Sequence, residues 1–322
     1  MTRNVKGKAK NQTPFTYTIP MSKEYQSKVK NLSQQDIISS FYTEENIKSN
    51  AFIPLKNQTN RLNKYTKDDL QNLKLDQSDS NDLNLYDEEQ LRLMKEQCIV
   101  IDYDDNEFAS GSKKLLHLMS NIDKGLLHRA FSVFLFNDKN ELLLQQRSSE
   151  KITFPELWTN TCCSHPLAVD DEMGINADNQ SQIGQLSLSD KVSGTITAAI
   201  RKLEHELGIP IDDTTSKGKF HFLNRIHYMA PSNAPWGEHE IDYIFIYKTD
   251  KNQDLTILGN PNEVKEFKYV TMEELKDMMN DSNLKFTPWF KLICENYLFD
   301  WWKQLDNIEE HENDDQIYRM FF

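Results

Sequence analysis

On a β-strand successive side chains point to opposite faces. In the segment WGEHEIDYIFIY, residues 236–247, this rule puts Glu238, Glu240 and Asp242 on one face and Ile241, Tyr243 and Phe245 on the other. The acidic face continues as Ile244 and Ile246, so it runs into a buried region. Carboxylates one repeat apart on such a face are costly unless they are solvated or bound to a cation. An edge strand with one wet face is the plainer alternative, but the isoleucines favour a cation.

Ligands to complete such a site are present. His117 (KKLLHLM) and His128 (GLLHRAFS) precede the first expected hairpin, and His165 lies in TNTCCSHP, residues 159–166. With Glu238 and Glu240 they offer three imidazoles and two carboxylates. That mixed set suits Mg, Mn, Zn or Fe rather than a thiolate zinc site. His221 and His227, beside apolar strand residues, read as satisfied core histidines. Cys163, two residues before His165 in a Pro-flanked loop, fits a nucleophile, an acid/base thiol or a metal ligand, or equally a buried structural cysteine. Lys113, Arg147 and Lys151 fit an anion pocket, in which the planar guanidinium suits paired phosphate oxygens, or merely solvated strand and loop ends.

The 322 residues carry a formal net charge of −13, which disfavours a nucleic-acid partner. The four cysteines show no disulfide spacing and there is no apolar run of bilayer length, so a reduced, cytoplasmic protein without a membrane partner is expected. Residues 1–86 read as a polar, largely disordered extension, with one short helix near Gln34–Tyr42 where Ile37, Ile38 and Phe41 share a face. Arg3, Lys6, Lys8 and Lys10 raise the question of organelle targeting, which Pro14 and Pro20 argue against. Residues 87–322 read as the catalytic domain. They contain a strand at Ile99–Ile101, a hairpin of Ala130–Phe136 with Glu141–Gln146, and a surface insertion at Asp170–Asp190. A helix over TITAAIRKLEHELGI stops at Gly208. Strands follow at Phe220–Tyr228 and Glu240–Tyr247, then helix after Pro288. The order indicates an α+β sandwich.

Together TNTCCSHP, WGEHEIDY, HRAFSVFLF, AAIRKLEHELGI and FTPWF resemble the type I isopentenyl diphosphate isomerases, most closely the fungal members, from about Glu88 onward. The resemblance implies a Nudix-like α/β/α sandwich with a mixed sheet. It also implies transposition of a carbon–carbon double bond in isopentenyl diphosphate, through a tertiary carbocation, to supply sterol precursors. By the same resemblance Cys163, Glu240 and Tyr228 are catalytic, and Lys113, Arg147, Lys151 and Trp289 meet the substrate. His117, His128, His165, Glu238 and Glu240 would bind one divalent metal (Mg, Mn or Zn), while Mg²⁺ near Glu206 would escort the diphosphate. The Nudix box departs from its hydrolase form: Arg201, Leu203, Glu206, Gly208 and Ile209 match, but Lys202 and His205 stand at two acidic positions. A Nudix-type hydrolase and a non-catalytic metal-stabilised module are the competing readings.

Overall fold

The computed structural model describes residues 22–75, 85–211, 219–251 and 255–320. The basic positions 3, 6, 8 and 10 and the prolines 14 and 20 lie outside the described residues. The first segment forms α1 (Lys23–Asn31), α2 (Gln34–Phe41), α3 (Glu44–Lys48), β1 (Phe52–Pro54) and α4 (Lys67–Asn72). After α5 (Glu88–Leu93) come β2 (Gln97–Ile101), β3 (Glu107–Ser112), α6 (Lys113–His117), α7 (Met119–Ile122), β4 (His128–Phe136) and β5 (Leu142–Arg147). β6 (Trp158–Thr159), β7 (Cys162–Ser164), α8 (Asp170–Met173), α9 (Leu188–Leu207), β8 (Phe220–Pro231), β9 (Gly237–Lys248) and β10 (Val264–Val270) follow. The chain ends in α10 (Met272–Asn280), α11 (Pro288–Ile293), a π-helical turn, α12 (Phe299–Lys303) and β11 (Ile317–Arg319).

β4 is the hub of the sheet. Along one edge it pairs in parallel with β9, from His128↔Glu240 to Phe136↔Lys248. The other edge is shared in turn by β2 at Val100↔His128, β7 from Phe131↔Ser164 to Val133↔Cys162, and β5 at Phe136↔Leu142. The strand order is β1-β3-β2-β4-β9-β8-β11, with the remaining strands branching from β4 and β5. The expected hairpin is therefore a fork, because β5 leaves β4 to pair with β10 and β6. Thr161 fills the fork: its hydroxyl accepts from Leu135 N at 2.8 Å and donates to Leu143 O at 2.6 Å. Backbone groups separated by the divergence thus keep partners.

The two faces of the sheet carry separate cores. α9 packs Ala198, Ala199, Leu203 and Leu207 against Phe131, Val133, Tyr243 and Phe245. Phe290, Ile293, Trp301 and Trp302 from the C-terminal helices cover Phe134, Phe136, Ile244 and Ile246 on the other face. This is the expected α/β/α sandwich on a mixed sheet. Gly208 ends α9 at φ 63°, where its N–H bonds Glu204 O; a side chain would strain that left-handed position.

Two expectations need correction. Within the expected polar, largely disordered extension of residues 1–86, residues 22–75 are folded onto the domain: Val29, Ile37, Phe41, Phe52 and Leu55 are buried, and β1 pairs with β3. Ile37, Phe41 and Phe52 share one apolar cluster with Cys98, Val100 and Leu116 of the main domain. A few well-placed aromatics anchor a polar segment, each worth about 1.5–3 kcal/mol of burial. The segment Asp170–Asp190 is not wholly at the surface either, since Met173, Ile175 and Leu186 are buried. α8 docks on α9 at Gly194, where a Cβ would lie 2.5 Å from Glu172 O.

Candidate active site and metal centre

Strand register assembles the centre. Glu240 of β9 lies opposite His128 of β4 on one side and Tyr228 of β8 on the other. α6, capped by the Ser112 hydroxyl, brings in His117, and His165 follows β7. One ligand atom from each of His117, His128, His165, Glu238 and Glu240 lies within 4.8 Å of all the others, and all five residues are buried. His165 Nε2 stands 2.7 Å and His128 Nε2 3.2 Å from Glu240 Oε1.

The His117–Glu238 contact tests whether a cation fits. His117 Nδ1 lies 2.7 Å from Lys113 O; a carbonyl only accepts, so Nδ1 carries the ring proton. Nε2 therefore presents a lone pair to Glu238 Oε2 at 2.7 Å, and both atoms are buried without a hydrogen-bond partner. Burial holds His117 and His165 below the usual histidine range, which keeps them neutral. Two acceptors facing each other inside a protein call for a cation between them. The donor set fits a divalent metal.

Next to this cluster Phe131, Ser132, Cys163, Tyr228 and Trp289 line one cavity with Lys113, Arg147 and Lys151. It is tight, about 20 Å³, room for roughly one water. Larger cavities of about 470, 480 and 910 Å³ lie beside the N-terminal segment and hold none of the expected site residues. Alternation on β7 sends the adjacent cysteines apart: Cys162 enters the α9 core while Cys163 faces the cavity. Burial pushes the Cys163 thiol up to about 12, with the nearby Arg147 charge opposing. Glu240 behaves otherwise. Burial would raise it, but His128 and the Tyr228 hydroxyl, which donates to Oε2 at 2.5 Å, hold it below the usual carboxylate range.

Arg147 is braced by Phe154 O (3.0 Å) and Thr153 O (2.9 Å), with Nη1 3.9 Å from Cys163 Sγ and the guanidinium 5.7 Å from the Trp289 ring centre. Lys151 is ion-paired with Glu263. Glu206 is the one expected site residue outside both groups. It lies on α9, on the far side of β7, held by Lys202 at 3.1 Å and Gln145 at 3.0 Å, with Cys162 Sγ 3.7 Å away. Of the two histidines read as core, His227 is fully buried against His239 and Arg319. His221 is partly buried, with its ring paired to Glu312 at 2.5 Å.

Three polar residues in or beneath the site carry no periodic signal. Ser132 donates to Asp242 at 2.8 Å on the cavity floor. Thr159 and Asn160 are fully buried beneath Cys163 and Trp289. Their only trace in the sequence is that polar letters stand between Trp158 and Cys162 in a buried stretch.

Comparison with known proteins agrees with this geometry. Residues 190–290 match the NUDIX domain. The chain is 50% identical over 303 residues to the isopentenyl-diphosphate delta-isomerase of Candida albicans, covering 93% of this chain and all of that protein. It is 56% identical to the same-named protein of Schizosaccharomyces pombe (71% of this chain, 93% of that one) and 46% identical to isopentenyl-diphosphate Delta-isomerase 1 of Mesocricetus auratus (73% and 96%). The Candida match extends the resemblance well before Glu88, into the segment that packs on the domain. At these identities and this coverage, the chain belongs to the isopentenyl-diphosphate delta-isomerase family.

Proposed function

We propose that this chain interconverts isopentenyl diphosphate and dimethylallyl diphosphate, with Cys163, Glu240 and Tyr228 handling the protons. The observation that carries the reading is that these three side chains line the same cavity as Trp289, Lys113, Arg147 and Lys151. The reaction adds one proton to the terminal carbon and removes one from C2. An alkene is a weak base, so an acid and a base must flank it in a dry space. We assign one side to Glu240 with Tyr228 and the other to Cys163. The thiol's high pKa keeps a proton on Sγ, and the lowered carboxyl of Glu240 keeps an acceptor ready.

Lys113, Arg147 and Lys151 would meet the diphosphate oxygens. The Trp289 face would lie against the tertiary cation; the same ring already faces the Arg147 guanidinium. A divalent metal (Mg, Mn or Zn) held by His117, His128, His165, Glu238 and Glu240 would supply fixed positive charge that holds Glu240 and tunes its acidity. Mg²⁺ escorting the diphosphate would be held by Glu206, whose charge reaches both Cys163 and Lys151.

The hydrolase alternative is weakened by Lys202. Its ammonium pairs with Glu206 and lies 3.1 Å from His205 Nδ1, so cationic and neutral groups stand where a carboxylate-rich box would gather Mg²⁺. Incubating the purified protein with isopentenyl diphosphate and Mg²⁺ tests the reading. Dimethylallyl diphosphate is the expected product, and release of inorganic phosphate in its place would overturn it.

A further inference from the structure

The motifs around Cys163 and Trp289 are 126 positions apart in sequence yet meet at one buried amide. Asn160 has no exposed surface. Its Oδ1 accepts from Trp289 Nε1 at 3.2 Å and from the Thr159 hydroxyl at 2.9 Å. Its Nδ2 donates to Cys162 O at 3.0 Å and to Val133 O at 3.2 Å. The partners fix the orientation of the amide, because an indole N–H only donates and carbonyls only accept. All four hydrogen-bonding positions of the side chain are used. Thr159, whose one proton goes to Asn160, stands 2.8 Å from the Thr287 hydroxyl, just before α11 and Trp289. Thr159 Oγ1 is also 3.8 Å from Cys163 Sγ.

We propose that Asn160 is a positioning residue for the isomerisation: it ties the Trp289 indole to the backbone of the Cys163 strand, so that the aromatic face and the thiol keep one fixed separation. This rests on the roles given above to Cys163 and Trp289. A buried, fully bonded amide rigidifies what it joins, and misplacement by about 1 Å can cost about a hundredfold in rate. Asn160 lines neither the cavity nor the metal cluster, so its effect passes through the Trp289 indole and the Cys162 backbone that it joins.

A double-mutant cycle tests the proposal. kcat and KM for isopentenyl diphosphate, per folded molecule, are measured for wild type, Asn160→Ala, Trp289→Phe and the double variant. Asn160→Ala is expected to lower kcat at least tenfold with KM changed less than threefold. In the Trp289→Phe background, whose ring has no N–H to hold, the same substitution should cost several-fold less. Equal factors in the two backgrounds, or a loss confined to KM or to melting temperature, would overturn the proposal. If Asn160→Ala does not fold, Asn160→Ser takes its place in the cycle with the same expectations. Trp289→Leu separates the two levels. Wild-type turnover in that variant ends the carbocation role and this proposal with it, whereas an impaired Trp289→Leu with an additive cycle ends the Asn160 role alone.

Discussion

His117 Nε2 and Glu238 Oε2 stand 2.7 Å apart, both buried, with the ring proton committed to Lys113 O on the other nitrogen. Such a contact repels until a cation enters. Strong chelation is therefore expected to remove activity and lower the melting temperature. Glu238→Gln and His165→Ala should lower metal content as well as rate. Metal analysis of the purified protein beside its turnover checks this, and a fully active protein free of metal would refute the ligand assignment.

The adjacent cysteines separate chemistry from packing. Cys163→Ala should cost at least roughly 10²–10⁴-fold in kcat, the usual scale for a lost proton-transfer group, with the fold intact. Cys162 lies in the α9 core with no exposed surface, so Cys162→Ala should lower stability by about 1–2 kcal/mol while leaving turnover nearly unchanged. Equal kinetic losses would contradict the assignment.

The N-terminal segment supports the site from behind. Phe52 has no exposed surface and shares a cluster with Leu116; Leu116 belongs to α6, the helix that carries Lys113 and His117. Phe52→Ala should cost about 3–5 kcal/mol. Deleting residues 2–80 should depress both melting temperature and activity. A truncated chain with unchanged stability and rate would show that the cluster is dispensable.

Stability should fall in mild acid. The Lys202 charge and burial lower His205 from 6.5 to about 4, and burial lowers His239 to about 4 as well. Between those values the unfolded chain binds more protons, so this contribution is complete above pH 6.5 and is lost as pH drops towards 4. At pH 5 each such group accounts for about 2 kcal/mol. Urea midpoints at pH 7 and pH 5 should therefore differ less in His205→Gln than in wild type. An identical difference would rule out the His205 contribution.

The sequence reveals the site better than it reveals the scaffold. Strand alternation alone puts Glu238 and Glu240 on one face, and it separates Cys162 from Cys163. Those assignments need only period two and the order of the motifs. The N-terminal segment is harder, because five buried apolar residues spread over Val29–Leu55 make no long periodic stripe. Its capping pairs, Ser33 with Asp36 and Thr66 with Asp69, mark helix starts but not where the helices dock. The position of Glu206 depends on which face of the sheet α9 covers, a tertiary fact that local pattern does not contain. Asn160 is harder still: nothing in TNTCC says that its amide will meet an indole from beyond Pro288.

The transferred proton can itself be followed. Isopentenyl diphosphate is incubated in D₂O with Mg²⁺ and the enzyme, and the product is examined by NMR and mass spectrometry. The expected product is dimethylallyl diphosphate with an intact diphosphate and deuterium in the methyl group derived from the terminal methylene, formed at least about a hundredfold more slowly by Cys163→Ala or Glu240→Gln. Cleavage of the diphosphate, or conversion without solvent deuterium, would contradict the proposed proton transfer.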